Sequence, residues 1–272
     1  MPGREIRIGV IGWDYPEWKG LVYPSDAKRE DFLRHYAERF PLVESASAYY
    51  GMPKTDAVAR WAEETPDDFT IALKVPDWIL KKKPDDPDTA RALGVFLQHL
   101  APLAEVGKLG ALVAQFSPYY RADKKAKDLA AFVRALPGGP RWAVELRHAS
   151  WWRKETYETL RAANVTLVWS ALGEGARTPT EVTSDSLYLR LFGDRDLPPP
   201  YAQKRRDASD ELHHWADRIH DEGAAAKRVD VLVSKYLEGY APGTAETMEA
   251  MLDVSPTTRV TTRSGVRQTT LF

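Results

Sequence analysis

The sequence predicts a closed parallel α/β barrel, and three observations support this prediction. Eight short apolar runs have the length of buried strands, helical patterns separate most of them, and the alternation fills nearly the whole chain. Runs that are apolar throughout are typical of parallel strands covered by helices. Eight such units in about 250 residues indicate one (β/α)8 barrel of the TIM type. A doubly wound open sheet is the alternative, but it needs a more polar edge strand.

The predicted strands follow one another at a spacing that leaves room for a helix between neighbours. They comprise residues 6–11, 42–47, 69–75, 110–116, 141–146, 165–170, 187–191 and 230–234. Between them, apolar residues recur three or four positions apart, which is the period of a helix with one buried face. The predicted helices comprise residues 31–40, 54–64, 90–103, 127–136, 154–163, 209–219 and 245–252.

One helix of the expected eight is missing, and the chain end has a different composition. Residues 172–180, after the sixth strand, contain two glycines, two threonines and a proline, which predict a loop in place of a helix. No linker divides the chain, so we assign residues 1–255 to a single barrel domain. Residues 256–272 are rich in Thr and Arg without periodicity, and we expect a flexible tail.

Composition excludes several classes of function. The 38 basic and 39 acidic residues give a net charge of -1, so bulk attraction to DNA or to an anionic membrane is not expected. The chain has no cysteine, which excludes disulfides, thiolate metal sites and a cysteine nucleophile. No apolar run approaches the ~20 residues of a membrane span, and the first residues lack the apolar core of a signal peptide. We therefore expect a cytoplasmic protein.

Strand parity predicts a cluster of charged side chains in the barrel mouth. Active sites of TIM-type barrels lie at the carboxyl ends of the strands, and residues two apart on a strand share a face. If the bulkier apolar residues face the helices, Glu145 and Arg147 point inward, as do Glu44, Lys74 and Arg190 on three other strands. Ionised groups are rarely buried without partners, so these five should pair with one another.

These residues suit acid–base chemistry. We assign catalysis to Glu44, Glu145 and Lys74, with one carboxyl ionised and the other raised in pKa. The candidates for substrate binding stand at other strand ends and in the adjoining loops: Trp13, Tyr15, Tyr49, Gln115, Arg147, His148, Arg190 and Lys235. The alternative for the charged cluster is a set of structural ion pairs without chemistry.

Two further ligand sites are candidates. A mixed site of Glu44, Glu145 and His148 could hold a divalent metal, although the six histidines do not cluster in the sequence. The basic run 204–206 precedes a predicted helix start at Ser209, an arrangement that can bind phosphate; a solvated basic turn is the alternative. Nucleotide fingerprints, GxSxG and HExxH are absent from the sequence.

A series of motifs in order resembles one known family. They are Ile-Gly-x-x-Gly-Trp-x-Tyr-Pro-x-Trp at 8–18, Tyr-Tyr-x-x-Pro at 49–53, Lys-Val-Pro at 74–76, Val-Glu-Leu-Arg-His-x-x-Trp at 144–151, Tyr-x-Arg-Leu-x-Gly at 188–193 and Glu-Gly-Tyr-Ala-Pro at 238–242. Over about residues 5–255 the chain resembles the family called domain of unknown function 72, or YecE-like. The resemblance implies a TIM-type barrel and no established activity. Ser234 and Lys235 stand where the family carries an Asn pair, so a shared chemistry would be altered here.

The last five residues resemble the peptide by which replication and repair proteins dock to a DNA sliding clamp. Gln268 would occupy a polar pocket, and Leu271 and Phe272 an apolar one. Residues 257–267 would provide the spacer that such a peptide needs. The alternative is an accidental match, because only three positions are strongly specified.

Three functional hypotheses follow. The first is a barrel hydrolase or lyase for a phosphorylated or nucleic-acid substrate, recruited to a sliding clamp by the C-terminal peptide. The second is a glycosidase-like or other small-molecule barrel enzyme without a clamp role, since two carboxyls flank the bond that glycosidases cleave. The third is a non-catalytic adaptor that binds the clamp.

Overall fold

In the computed structural model, which describes residues 4–45, 51–173 and 175–254, eight parallel strands form a closed barrel. The strands are β1 (Glu5–Ile11), β2 (Leu42–Ser45), β3 (Thr70–Lys74), β4 (Leu109–Gln115), β5 (Trp142–Glu145), β6 (Thr166–Gly173), β8 (Ser186–Leu191) and β9 (Arg228–Val233). The label β7 is kept for a short antiparallel strand, Ala176–Arg177, that is not one of the eight. β1 to β5 are neighbours in sequence order, β9 and β8 follow on the other side of β1, and β6 pairs with both β8 and β5. The predicted fold class is therefore confirmed.

Helices cover the outside of the barrel. They are α1 (Phe32–Ala37), α2 (Thr55–Glu64), α3 (Asp77–Leu80), α4 (Pro87–Glu105), α5 (Ala122–Ala135), α6 (Lys154–Ala162), α7 (Ser209–Asp221), α8 (Lys235–Glu238) and α9 (Ala241–Met251). Each of the seven predicted helices corresponds to one of these. The short helices α3 and α8 are additions that lie directly beyond the ends of β3 and β9.

The segment after β6 has no helix in its described residues, as the sequence predicts. β6 continues to Gly173 and pairs in antiparallel fashion with a two-residue strand, β7 (Ala176–Arg177). Arg177 then forms an ion pair with Glu211 of α7 at 2.6 Å. A short hairpin fixed to the neighbouring helix thus takes the place of the eighth covering helix.

Three helices, α4, α5 and α9, begin earlier than their apolar pattern predicts, and α9 starts at Ala241 in place of residue 245. α4 starts at Pro87 because the Asp86 side chain accepts a hydrogen bond from the backbone N–H of Asp88, and proline is well suited to the first helical position. α5 starts at Ala122, five residues before the predicted boundary. Its first turn carries mostly polar residues, so apolar periodicity could not reveal it.

Alanines, medium-sized aliphatic residues and one tyrosine fill the inside of the barrel. The interior core residues are Leu42, Ala72, Ala111, Val113, Ala143, Val168, Tyr188 and Leu232. The bulkier residues of the same strands pack outward against the helices, where they form the larger core. Gly9 faces the interior side of β1, and a Cβ there would lie 1.9 Å from the carbonyl oxygen of Leu42. Three interior alanines leave room for one tyrosine and for the charged side chains above it.

No helix among the described residues is long and apolar enough to cross a membrane. The predicted tail, residues 256–272, lies outside the described residues.

Candidate functional site

Four charged side chains converge inside the carboxyl end of the barrel, as strand parity predicts. Glu44 on β2, Lys74 on β3, Glu145 on β5 and Arg190 on β8 are all buried, and Arg190 and Glu44 are 0% exposed. Arg147 follows the end of β5, and its side chain is 18% exposed. The five residues form one network in which each charge lies close to an opposite one.

Arg190 lies at the centre of this network. Its Nη2 donates to Glu44 Oε1 at 2.9 Å, and its Nη1 donates to both Glu145 Oε2 and Gln115 Oε1. Burial alone lowers the pKa of Arg190, but the carboxylates of Glu145 and Glu44 outweigh this and raise the pKa above its ordinary value. One guanidinium therefore bridges both carboxylates.

Glu145 is held in its ionised form. It also accepts a hydrogen bond from Nε of Arg147 at 2.7 Å. Burial would raise its pKa, but Arg190, Arg147 and Lys74 together lower the pKa from 4.5 to about 2. Glu145 is thus a fixed negative charge at neutral pH, and it is not the carboxyl with a raised pKa that the sequence predicts.

Lys74 is the group in the network whose protonation can change near neutral pH. Its Nζ donates to Gln115 Oε1 at 2.7 Å. Burial is the largest cause of a pKa lowered from 10.5 to about 8, the positive charge of Arg190 adds to it, and Glu44 and Glu145 oppose it. A lysine with this pKa exchanges protons readily under physiological conditions.

Tyr188 belongs to the site, although it is not among the site residues that the sequence predicts. Its hydroxyl donates to Glu44 Oε2 at 2.9 Å, so both oxygens of that carboxylate have partners. Burial raises its pKa well above the ordinary value, and the Glu44 charge adds to this. The signal was present in the sequence, because Tyr188 shares a strand face with Arg190.

A cavity of about 380 Å³ adjoins the network on the side of β8. Phe192 forms part of its wall, with the guanidinium groups of Arg147, Arg190 and Arg195 between 5.0 and 5.8 Å from the ring centroid. Arg147 and Arg195 both line the cavity, as does Asp194. Among the described residues, Arg147 donates only through Nε, and Arg195 has neither an ion pair nor a hydrogen bond. Two arginines are thus available to an anion in this cavity.

Three of the aromatic and basic candidates lie outside the hydrogen-bond network. Trp13 packs edge-on against Trp61, with ring centroids 5.4 Å apart. The Tyr15 hydroxyl donates to the carbonyl oxygen of Ile11. Lys235, the first residue of α8, places its Nζ 4.9 Å from the Tyr15 ring and 4.4 Å from the Tyr201 ring. Tyr15 and Lys235 thus belong to one aromatic cluster beyond the ends of β1 and β9, and Trp13 packs separately against α2.

His148 has a structural contact that accounts for its position. Its Nδ1 accepts a hydrogen bond from the backbone N–H of Ser150 at 3.1 Å and caps the short 3-10 helix Ala149–Trp151. In the described part of the chain, no three His, Asp or Glu side chains are grouped closely enough to hold a metal ion. The site predicted from Glu44, Glu145 and His148 therefore does not fit a metal, because Arg190 bridges the two carboxylates.

Two of the three basic residues in the run before α7 are paired with acidic neighbours, and Arg205 donates to the carbonyl oxygen of Pro198. Lys204 pairs with Asp207 at 2.9 Å and with the buried Glu238 at 2.7 Å, and Arg206 pairs with Asp196 at 2.7 Å. The predicted phosphate position is thus occupied by the chain's own carboxylates. Tyr49 and the tail residues Gln268, Leu271 and Phe272 lie outside the described residues.

The fold and the site define a TIM-type barrel with a charged mouth, and comparison places it in a family. The chain belongs to the family described as protein of unknown function DUF72, whose model matches residues 7–268. This confirms the resemblance seen in the sequence motifs.

Among the relatives, UPF0759 protein YecE of Escherichia coli strain K12 is 31% identical over 194 residues, which is 66% of this chain and 65% of YecE. The chain therefore spans about 65% of the E. coli relatives that it matches. UPF0759 protein YunF of Bacillus subtilis is 23% identical over 271 residues and is covered to 95%.

Solved structures of the family share the fold. A DUF72 family protein from Thermotoga maritima has a TM-score of 0.77 at 26% identity, covering 92% of this chain and 100% of its own. One from Enterococcus faecalis has a TM-score of 0.74 at 24% identity, covering 92% of this chain and 96% of its own.

Proposed function

We propose that the barrel mouth is the active site of a hydrolase or lyase for a small phosphorylated substrate, with Lys74 as the group that transfers a proton. The observation that carries this proposal is the buried amine of Lys74, which donates to Gln115 Oε1 at 2.7 Å inside a network of fixed charges and has a pKa lowered to about 8. A catalytic acid or base works best when its pKa lies near the operating pH. Structural ion pairs need no member with this property.

The cations at the mouth favour an anionic substrate. Arginine forks match the geometry of phosphate oxygens, and Arg147 and Arg195 line the same cavity. Asp194 in the cavity wall is engaged by Arg206, 3.6 Å away. The cavity volume of about 380 Å³ fits a small organic phosphate, and this supports a metabolite more than a nucleic-acid polymer.

The position of Arg190 disfavours the glycosidase alternative. In glycosidases, two carboxyls stand on either side of the bond that breaks. Here one guanidinium forms ion pairs with both Glu44 and Glu145 and fills the space between them. The carboxylates therefore serve to hold the arginine, and Lys74 is left as the proton carrier.

Of the two reaction classes, a lyase uses this arrangement more fully. The free amine of Lys74 would take a proton from a carbon next to a carboxylate or carbonyl, and the electron pair would form a double bond as the leaving group departs. Arg147 and Arg195 would hold the phosphate, and the amide of Gln115 would orient the amine.

A substrate panel tests the chemistry. Small phosphorylated hydroxy acids and sugars are incubated with the protein, and released phosphate and unsaturated product are followed. Lys74→Met should abolish turnover, whereas Lys127→Met, which removes an exposed lysine from α5, should leave it unchanged. Turnover that persists in Lys74→Met would contradict the assigned role.

Anion binding is tested separately from turnover. Arg195→Ala should weaken binding of glycerol phosphate about tenfold or more, since hydrogen bonds to charged groups are strong and this arginine has no competing ion pair among the described residues. Arg91→Ala removes another exposed arginine, on α4, and should leave the affinity unchanged. Equal effects of both variants in calorimetric titration would show general surface attraction and would argue against a site at the mouth.

Recruitment to a sliding clamp is a second proposal, carried by the tail sequence alone. Gln268, Leu271 and Phe272 have the residue types and spacing of a clamp-docking peptide. The family model ends at residue 268, so the two apolar anchors lie beyond the matched region. Docking would be a property of this chain in addition to the family barrel. A clamp-binding protein with an inactive mouth would correspond to the adaptor hypothesis.

A further inference from the structure

A second cleft lies at the amino ends of the strands, on the face of the barrel opposite to the mouth. Its volume is about 680 Å³, and it lies where β5, β6, β8 and β9 begin and where α5 ends. The cleft and the charged network lie at opposite ends of the same strands. Trp142 at the start of β5 lines the cleft, and Glu145 at the end of β5 belongs to the mouth.

The lining of the cleft is rich in cations. Arg134, Arg141, Lys227 and Arg228 line it together with the carboxylate of Asp185. Asp230 and Glu5, which are not in the lining, pair with Arg141 and Arg228, so the positive charge that remains for a ligand is that of Arg134 and Lys227. Two cations without ion pairs among the described residues favour a ligand that carries more than one negative charge.

The four cations are of two kinds. Arg141 and Arg228 form ion pairs with the buried Asp230 at 3.0 and 2.9 Å, and these pairs stabilise the fold. Arg134 and Lys227 are exposed, and neither side chain has an ion pair or hydrogen bond with another described residue. Arg134 and Lys227 thus make no polar side-chain contact with another described residue, and both lie at the same cleft.

The remaining wall suits an organic group as well as an anion. Leu136, Pro137 and the Trp142 ring provide an apolar side. Thr166, Ser184 and Ser186 also line the cleft, and the hydroxyl oxygens of Thr166 and Ser184 lie 2.8 Å apart. Ligand sites in proteins typically combine a mostly apolar wall with a few placed polar groups.

We propose that this cleft binds a small organic phosphate with two or more negative charges, such as a nucleoside diphosphate. Arg134 and Lys227 would contact the phosphates, and the apolar wall would contact the organic part. The concave shape and limited volume favour a small molecule over a nucleic-acid strand. The site is independent of the mouth, since none of its lining residues belongs to the Lys74 network.

Calorimetric titration with ADP tests the proposal in the full-length protein. The double variant Arg134→Ser with Lys227→Ser should bind at least tenfold more weakly than the parent. A matched control, Lys124→Ser with Lys127→Ser, changes the net charge equally at the other end of α5 and should bind as the parent does. Arg147→Ala, which alters only the mouth, should also retain the affinity for ADP at this cleft.

Several outcomes would overturn the inference. These are no heat with millimolar ADP, undiminished binding in the cleft variant, or an equal loss in the matched control. Binding of a single-stranded oligonucleotide without binding of ADP would identify a polymer surface and would also refute it. Loss of ADP binding in Arg147→Ala alone would place the ligand in the mouth, which supports the proposed function and contradicts this one.

Discussion

Replacing Glu145 by glutamine should destabilise the protein strongly, because the side chain is a buried counter-charge. Glu145 is 1% exposed and accepts hydrogen bonds from Arg190 and Arg147. Glutamine keeps the shape but removes the negative charge. Arg190, which is 0% exposed, would then have Glu44 as its remaining carboxylate partner among the described residues.

The expected loss in the free energy of unfolding follows from the pKa of Glu145. One pKa unit corresponds to about 1.4 kcal/mol, so lowering the Glu145 pKa from 4.5 to about 2 corresponds to about 3 kcal/mol of stability at neutral pH. This agrees with the roughly 3–5 kcal/mol that breaking a buried ion pair costs. Because the folded-state pKa is depressed, the contribution is complete above the unfolded value near 4.5. It is lost as the pH falls towards about 2.

Urea unfolding followed by circular dichroism measures this effect. At neutral pH, Glu145→Gln should lose about 3 kcal/mol, and the gap to the parent should narrow as the pH falls below 4.5. Glu158→Gln, an exposed residue on α6, is the control and should change the free energy of unfolding by less than about 0.5 kcal/mol. A change in Glu145→Gln as small as in this control, or a gap independent of pH, would show that the charge of Glu145 does not stabilise the fold.

Three other predictions concern separate parts of the chain. The folded-state pKa of Lys74 is about 8 and the unfolded-state value is 10.5, so the unfolded chain binds more protons between these pH values. The free energy of unfolding of the parent should therefore rise by about 3 kcal/mol as the pH rises from 8 to 10.5, and that of Lys74→Met should not. Identical pH profiles of the two proteins in urea unfolding would contradict this prediction. Gly9→Ala should lower the free energy of unfolding by about 3 kcal/mol or more because the new Cβ meets a backbone carbonyl. Gly94→Ala, which has open space in α4, should raise it by about 1 kcal/mol. Thermal unfolding measures both variants, and equal changes would show that the contact at Gly9 does not matter. Deleting residues 268–272 should leave the melting temperature unchanged and remove binding to the host's sliding clamp. A synthetic tail peptide should bind the clamp with micromolar affinity in calorimetric titration. Absence of heat in this titration would contradict docking.

The sequence was sufficient to predict the barrel because apolar runs and helical periods mark buried faces directly. Parity along each strand also predicted which charges lie inside, since the bulky residues on the alternate positions had to face the helices. The first residues of the helices were harder to predict. The first turn of α5 consists mostly of polar residues, so residues 122–126 show no apolar periodicity.

The roles within the site depended on geometry that one sequence does not contain. Which carboxylate faces which cation is decided by the closure of the barrel, which brings β8 opposite β2 and β5. The bridge formed by Arg190 and the hydroxyl of Tyr188 on Glu44 therefore could not be predicted. Arg195 and Phe192 lie in an irregular loop, where neither periodicity nor parity applies.

The barrel mouth is proposed to bind a small phosphorylated molecule beside Lys74. A crystal structure of the protein grown with glycerol phosphate shows whether it does. We expect a phosphate group within hydrogen-bond distance of Arg147 and Arg195, with the organic end directed towards Lys74. A mouth without ligand at a concentration that saturates binding in solution would exclude this site, and would leave the charged network as a set of structural ion pairs.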